Sequence, residues 1–299
     1  MNQQDMAAKI AAANGFIAAL DQSGGSTPKA LRGYGIEEDQ WSTEDEMFDL
    51  IHHARCRIIR SPSFANGKVI GAILFEKTMD GTVDGKPVPR ALIDLGIVPF
   101  IKIDKGLEAE ADGVQLMKPM PGLDALLERA KGLGVFGTKE RSVINAANPK
   151  GIAAAIAQQF ETGKQVLAHG MMPILEPEYT IKAPDRAEGE AIVRAEILKQ
   201  LDALPQGRQV MLKLSIPVVP NFYRELTTHP KVLAVVALSG GYTTEEACAE
   251  LAKNDRLIAS FSRGLLQDLR AHQTDAEFDE TLGAAIDQIH RASTQKVSA

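Results

Sequence analysis

The 299-residue sequence predicts an α/β protein folded as a single (β/α)8 TIM barrel. Two observations lead to this prediction. Short apolar segments alternate with amphipathic stretches along the chain, and eight such segments are present, which is the strand number of this barrel. No long Pro, Gly or Ser linker divides residues 1–299, so one domain is expected. An open doubly wound sheet is the alternative, but its GxGxxG signature is absent after the first segment.

The predicted strands are apolar runs that end in polar or charged residues or are followed directly by them. In chain order they cover residues 15–21, 68–75, 98–104, 135–141, 171–178, 209–215, 232–239 and 257–261. Between them, segments such as 122–130 and 187–201 repeat apolar residues at helical spacing. Thr243 and Glu246 have the spacing of a capping box, which predicts a helix start after the seventh strand.

Charged and polar side chains collect at the carboxyl ends of these strands, where barrels of this kind carry their catalytic residues. They are Asp21, Lys102, Asp104, Lys139, Arg141, Glu176, Glu178, Lys213, Ser239, Ser262 and Arg263. Lys102/Asp104, Lys139/Arg141 and Glu176/Glu178 each have i, i+2 spacing, and alternate strand residues point to the same side. Both members of each pair are therefore expected to face the barrel mouth.

Lys213 lies among apolar neighbours in the sixth predicted strand, where an ammonium group is costly to bury unless it is paired or loses its proton. A single strand-end lysine is more often an ion-pair partner than a nucleophile. The polar segments 21–26 and 239–241 are also explained as simple turns. Their common position at predicted strand ends is what favours an active site over these separate explanations.

The composition excludes several classes of protein. A net charge of -6 and a pI near 5.6 argue against general nucleic-acid binding. The chain has no secretory signal and no run of 18 apolar residues, so we expect a cytoplasmic protein without membrane partners. Cys56 and Cys248 are far apart and are expected to be reduced thiols. The six histidines lack the spacing of a zinc site, so we expect no metal.

Seven stretches of the sequence match the motifs of one enzyme family, in the family's order and over nearly the whole chain. They are residues 19–26, 100–106, 138–141, 173–178, 212–213, 238–241 and 261–263. With these stretches the sequence resembles the class I, Schiff-base-forming fructose-1,6-bisphosphate aldolases, particularly the shorter bacterial members. The resemblance implies a metal-independent lyase of glycolysis and gluconeogenesis that needs no cofactor.

The resemblance also implies roles for five residues. Lys213 would attack the C2 carbonyl of the ketose phosphate and form an iminium, which withdraws electrons as the C3–C4 bond breaks. Glu176 would act as acid and base for iminium formation and for the C4 hydroxyl, while Glu178 would orient Lys213 and share proton transfer. Asp21 would orient the C4 hydroxyl, and Lys139 would stabilise developing charge.

The sugar-phosphate substrate implied by the resemblance has a phosphate at each end, so two anion sites are expected. The resemblance implies that one site is formed by Ser239, Gly240, Gly241 and Arg263, and that the other is formed by Lys102, Arg141, Ser23 and Ser26. Backbone N–H groups, guanidinium groups and close-approaching glycines all suit phosphate oxygens. The family also implies a homo-oligomer of this chain.

The sequence departs from the longer enzymes of the family at four places. Gln22 replaces an acidic residue, Glu140 replaces a tryptophan, the turn at 261–264 is shorter, and residues 295–299 lack the C-terminal tyrosine that helps to remove the C3 proton. Two alternatives stay open. The first is a Schiff-base aldolase or transaldolase that acts on another sugar phosphate. The second is a scaffold protein that binds sugar phosphates without turning them over.

Overall fold

The computed structural model describes residues 1–297 and confirms the predicted barrel, with eight parallel strands in a nearly closed sheet. The strands are β1 (Phe16–Leu20), β2 (Val69–Leu74), β3 (Val98–Lys102), β4 (Gly137–Ile144), β5 (Met172–Tyr179), β6 (Val210–Ser215), β7 (Val232–Leu238) and β8 (Ile258–Ala259). Each pairs in parallel with the next. Ala19 N donates to Phe261 O (3.2 Å) and joins β1 to the segment after β8.

Helices fill the connections and surround the sheet. Their bounds are α1 (Gln3–Ala12), α2 (Ser26–Tyr34), α3 (Glu44–Arg60), α4 (Glu76–Asp80), α5 (Val88–Asp94), α6 (Leu123–Gly132), α7 (Pro149–Ala168), α8 (Arg186–Ala203), α9 (Arg224–Thr227), α10 (Thr244–Ala252), α11 (Arg263–Leu266) and α12 (Asp275–Thr294). Thr243 Oγ1 accepts from Glu246 N, which confirms the predicted cap of α10. None of the helices described is long and apolar enough to cross a membrane.

The barrel interior is apolar below its mouth. Alternate strand residues point inward and pack together, among them Ile17, Ala19, Ile73, Phe100, Ile174, Met211 and Val236. Met6 and Ile10 of α1 join this cluster and cover the end of the barrel at which the strands begin. The outward-facing residues pack against the surrounding helices in a second, larger core. Water is thus excluded from one end, and the charged side chains lie at the other.

The predicted end of the fourth strand is wrong. We expected the strand to end at Arg141, but β4 continues to Ile144 because Val143 and Ile144 pair with Glu178 and Tyr179 of β5. A short antiparallel segment, Val114–Gln115, pairs with the same extension. Lys139 and Arg141 therefore lie within β4 rather than at its end. Their inward direction, which alternation fixes, is unchanged.

Candidate active site

Lys139 is the most highly coordinated charge in the barrel mouth. Its side chain is 3% exposed, and its Nζ lies 2.7 Å from Asp21 Oδ2, 3.0 Å from Glu176 Oε2 and 3.9 Å from Asp104 Oδ2. Burial opposes the charged form, but the three carboxylates outweigh it and raise the pKa of Lys139 above its ordinary value. Lys139 is therefore an ammonium group that does not titrate near neutral pH.

Lys213 is 4% exposed on β6 and contacts the same glutamate. Its Nζ lies 3.0 Å from Glu176 Oε1, so one carboxylate bridges Lys213 and Lys139. The backbone N–H of Glu176 donates to Gln159 Oε1 on α7 (3.2 Å), which ties this part of β5 to a helix. A carboxylate at this distance can exchange protons directly with the amine.

Asp21 completes a line of alternating charge across the mouth, from Asp21 to Lys139 to Glu176 to Lys213. Burial alone would raise the pKa of Asp21, but the charges of Lys139 and Lys213 hold it well below its ordinary value. Asp21 is consequently a carboxylate at neutral pH. Each charge in the line has an opposite neighbour, which is what makes burial of the whole set tolerable.

Glu178 contacts Arg141 rather than Lys213. Arg141 Nε donates to Glu178 Oε2, and this carboxylate raises the pKa of the guanidinium against the opposing effect of burial. The contact with Lys213 that the family resemblance implied for Glu178 is made here by Glu176. Spacing along β5 predicted that both glutamates face the mouth, but it did not predict which base each would meet.

Asp104 connects the charged line to the candidate phosphate-binding residues. Its Oδ1 lies 2.7 Å from Lys102 Nζ, and its Oδ2 accepts from the backbone N–H of Arg141 (3.3 Å) and faces Lys139. The sequence placed Asp104 at the mouth through its spacing from Lys102 but assigned it no role. The structure thus brings Lys102 and Arg141 together around one carboxylate.

Ser23 lies in the loop after β1, and it contacts Ser26, which is the first residue of α2. Ser26 Oγ donates to Ser23 O (2.8 Å) and accepts from Ser23 N (3.0 Å). Within residues 1–297 neither hydroxyl is hydrogen-bonded to Lys102 or Arg141. These four residues, predicted as one site, are therefore divided between a loop, the start of α2 and two neighbouring strands.

The residues of the other predicted anion site lie at the ends of β7 and β8. Ser239 is buried after β7, and Gly240 and Gly241 have φ values of +59° and +116°. A Cβ on Gly240 would lie 2.7 Å from Ile181 Cγ2, so glycine is required there for space as well as for φ. Arg263 is exposed at the start of α11, with Nη2 3.9 Å from the Cβ position of Gly241.

The sequence did not identify Arg55 and its contacts. Arg55 lies on α3, is 2% exposed, and donates to Thr78 Oγ1 (2.7 Å) and to the carbonyl oxygen of Gln22 (2.6 Å). Gln22 Nε2 in turn donates to Ser262 Oγ. An arginine in an amphipathic helix looks like a surface residue, so no sequence signal distinguished this one.

The C-terminal segment docks at the far end of the barrel. Lys296 Nζ donates to Leu257 O (2.6 Å) just before β8, and Val297 N donates to Ala252 O (3.0 Å) at the end of α10. Ser298 and Ala299 lie outside the described residues. As far as Val297, the tail is directed away from the mouth.

In the part of the chain that the structure covers, no three His, Cys, Asp or Glu side chains are grouped as metal ligands.

Glu140, which occupies the position of the family's tryptophan, is fully buried on the outer face of β4. Its Oε2 accepts from Thr138 Oγ1 (3.1 Å), and its Oε1 has no partner among the residues described. Burial raises the pKa of Glu140 well above its ordinary value and so favours the neutral form of the carboxyl in the folded protein. It does not contact the charged line on the inner face.

We predict that Glu140→Gln flattens the dependence of stability on pH. The folded protein keeps a proton that the unfolded chain releases above the ordinary pKa, so the free energy of unfolding falls as pH rises toward the raised value. Glutamine has no proton to release, so the free energy of unfolding of Glu140→Gln should fall less than that of the wild type as pH rises. Urea unfolding from about pH 6 to 9 measures it, with exposed Glu161→Gln as the control. Equal slopes for wild type and Glu140→Gln would contradict the prediction.

Comparison with known proteins finds one matching family and two similar solved structures. The sequence model of the family described as fructose-bisphosphate aldolase class-I matches residues 2–217. Among solved structures, the chain is similar to the fructose-bisphosphate aldolase of Plasmodium falciparum, determined in complex with TRAP and a small-molecule inhibitor. The TM-score is 0.71 at 20% identity, covering 99% of this chain and 96% of that one.

A Corynebacterium glutamicum protein of known structure is also similar, with a TM-score of 0.51 at 15% identity. The similarity covers 97% of this chain and 92% of that one. At these identities both structures support the barrel fold alone.

Proposed function

The chain belongs to the class-I fructose-bisphosphate aldolase family, and from this premise we propose that it reversibly cleaves fructose 1,6-bisphosphate through a Schiff base on Lys213. The products are dihydroxyacetone phosphate and glyceraldehyde 3-phosphate. The observation that carries the proposal is the single carboxylate of Glu176, which lies 3.0 Å from Lys213 Nζ and 3.0 Å from Lys139 Nζ.

This contact supports the first half of the reaction. Glu176 takes one proton from the ammonium of Lys213, and the resulting neutral amine bonds to C2 of the ketose while the carbonyl π electrons move to oxygen. Glu176 then delivers this proton and a second proton from the bound nitrogen to that oxygen, which leaves as water and yields the iminium. The ammonium of Lys139 stabilises the negative charge that develops on oxygen during attack. No metal or cofactor is required, because the iminium is the electron sink.

Cleavage follows from the same set of residues. Asp21 orients the C4 hydroxyl, Glu176 takes its proton, and the electrons of the C3–C4 bond move to the iminium nitrogen to give an enamine. Glyceraldehyde 3-phosphate leaves as the C4–O bond becomes a carbonyl. Glu178, bound to Arg141, positions that guanidinium. Its implied part in proton transfer with Lys213 stays a prediction.

We propose that the two phosphates bind on opposite sides of the mouth, and the strand order supports this arrangement. β7 adjoins β6, so the phosphate on C1, one carbon from the Schiff base, lies nearest the site formed by Ser239, Gly240, Gly241 and Arg263. The C6 phosphate then extends toward Lys102, Arg141, Ser23 and Ser26. We extend the proposal to one catalytic domain over residues 1–299, acting in the cytoplasm in glycolysis and gluconeogenesis.

Borohydride reduction in the presence of dihydroxyacetone phosphate tests the proposal. We expect a reduced adduct on the peptide that contains Lys213, no adduct in Lys213→Met, and cleavage of fructose 1,6-bisphosphate that a chelator does not inhibit. The mass of tryptic peptides locates the label. An adduct on Lys139 instead, or none with the wild type, would refute the mechanism. Product analysis with other phosphorylated ketoses separates this aldolase from a Schiff-base aldolase or transaldolase of different specificity.

A further inference from the structure

Arg55 is a buried cation without an anionic partner in contact. Its guanidinium donates to Thr78 Oγ1 and to the carbonyl oxygen and Oε1 of Gln22, all neutral groups, and its Nε has no partner within residues 1–297. Burial lowers the pKa of Arg55 to about 10 while the nearby charge of Asp21 raises it, so the group is charged at neutral pH. A buried charge of this kind is costly unless an anion compensates it.

The contacts of Arg55 place it directly behind the loop after β1. Gln22, whose carbonyl it binds, immediately precedes Ser23, and the same glutamine donates its side-chain N–H to Ser262 Oγ after β8. Arg55, Gln22 and Ser262 therefore tie together two loops of the mouth across the β1–β8 seam, and Thr78 fixes the guanidinium from α4. The amide of Gln22 brings no charge that would neutralise Arg55.

We propose that Arg55 is a positioning residue for the C6 phosphate, and that Gln22 keeps its charge available. Arg55 fixes the loop that carries Ser23 and leads into α2 at Ser26, and it places behind that loop a positive charge that has no anion in hydrogen-bond contact. A phosphate dianion bound at the loop adds negative charge that the contacts of Arg55 do not provide. This inference rests on the proposed function and deepens it, because it makes the Arg55–Gln22 pair a determinant of preference for a bisphosphate over a 1-monophosphate.

Steady-state kinetics with two ketoses test the inference. For Arg55→Gln we expect kcat/KM for fructose 1,6-bisphosphate to fall by about tenfold, mainly through KM, as loss of a charged interaction implies. For fructose 1-phosphate, which lacks the C6 phosphate, kcat/KM should change by less than about twofold. Gln22→Glu should act in the same direction because its carboxylate neutralises Arg55, and it provides a second variant if Arg55→Gln folds poorly.

Arg57→Gln is the matched control, because Arg57 lies on the same helix but pairs with exposed Asp275. This substitution should leave kcat/KM for both ketoses unchanged. Equal losses on the two ketoses in Arg55→Gln and Gln22→Glu, or no loss on either, would overturn the inference, since a purely structural role affects both substrates alike.

Calorimetric binding of hexitol 1,6-bisphosphate, which has no carbonyl, separates this inference from the proposed function. Weaker binding by Arg55→Gln and Gln22→Glu supports the inference even if the wild type cleaves neither ketose, and that failure would then concern the mechanism alone. Cleavage by the wild type with unchanged binding in both variants would overturn the inference and leave the mechanism standing. Absence of binding to the wild type would overturn it as well.

Discussion

Replacement of Lys213 by methionine is expected to lower kcat for cleavage by on the order of 10⁴-fold or more while the protein stays folded. Methionine matches the length of the lysine stem and fits between Leu212 and Leu214, but it has no amine for carbonyl attack. Glu176 keeps Lys139 as a partner at 3.0 Å, so the substitution does not leave a buried carboxylate unpaired. The loss should therefore be far larger in activity than in stability.

A coupled assay for triose phosphates measures the activity, and urea unfolding checks the fold. Lys105→Met is the matched control, because Lys105 is an exposed lysine at the same end of the barrel that pairs with Glu76. The control should retain full activity. Activity above about 1% of the wild type in Lys213→Met would show that another group carries the reaction.

Much of the barrel was predictable because parallel strands buried on both faces are continuous apolar runs, which are easy to recognise. The end of β4 was not, because residues 142–144 extend the strand through pairing with β5 and with Val114–Gln115. Such pairing depends on which segments become neighbours after folding. Apolar content alone therefore locates a strand better than it locates the strand's end.

The candidate site was predictable to a similar degree. Period-two spacing placed Glu176 and Glu178 on one face, but which of them meets Lys213 depends on the register between β5 and β6 and on the position of Arg141. Arg55 was not recognised, because burial of an arginine on α3 follows from tertiary packing. Its role is visible only once Gln22 and Ser262 are seen to meet.

Loss of Lys139 is expected to be the most destabilising single change in the mouth. Lys139→Met removes the cation shared by Asp21, Glu176 and Asp104. Glu176 keeps Lys213 and Asp104 keeps Lys102 at ion-pair distance, so among the described residues Asp21 is the carboxylate that loses its ion-pair partner. Breaking a buried ion pair by removing one partner costs about 3–5 kcal/mol. Cleavage should also be lost, because Lys139 stabilises the oxyanion in the proposed mechanism.

The pH dependence distinguishes this electrostatic cause from a packing defect. The lowered pKa of Asp21 contributes stability above the ordinary value of 3.8, and this contribution is lost as pH falls through the lowered value. The raised pKa of Lys139 contributes stability below 10.5, which is lost only as pH rises through the raised value. Both contributions are therefore complete at neutral pH. In Lys139→Met the pKa of Asp21 should rise. The deficit, meaning the loss in free energy of unfolding relative to the wild type, should therefore shrink as the solution is acidified toward about pH 4.

Urea unfolding at several pH values measures this deficit. Two further variants test whether the deficit comes from the unpaired carboxylate. The double variant Lys139→Met/Asp21→Asn should be more stable than Lys139→Met alone, because the asparagine removes the unpaired carboxylate. Lys68→Met, which breaks the partly exposed pair with Asp287, should cost less than about 1 kcal/mol. A deficit in Lys139→Met that is constant with pH and additive with Asp21→Asn would mean that the lysine stem stabilises the mouth by packing. A deficit that shrinks in acid and is relieved by Asp21→Asn would mean that its charge does so.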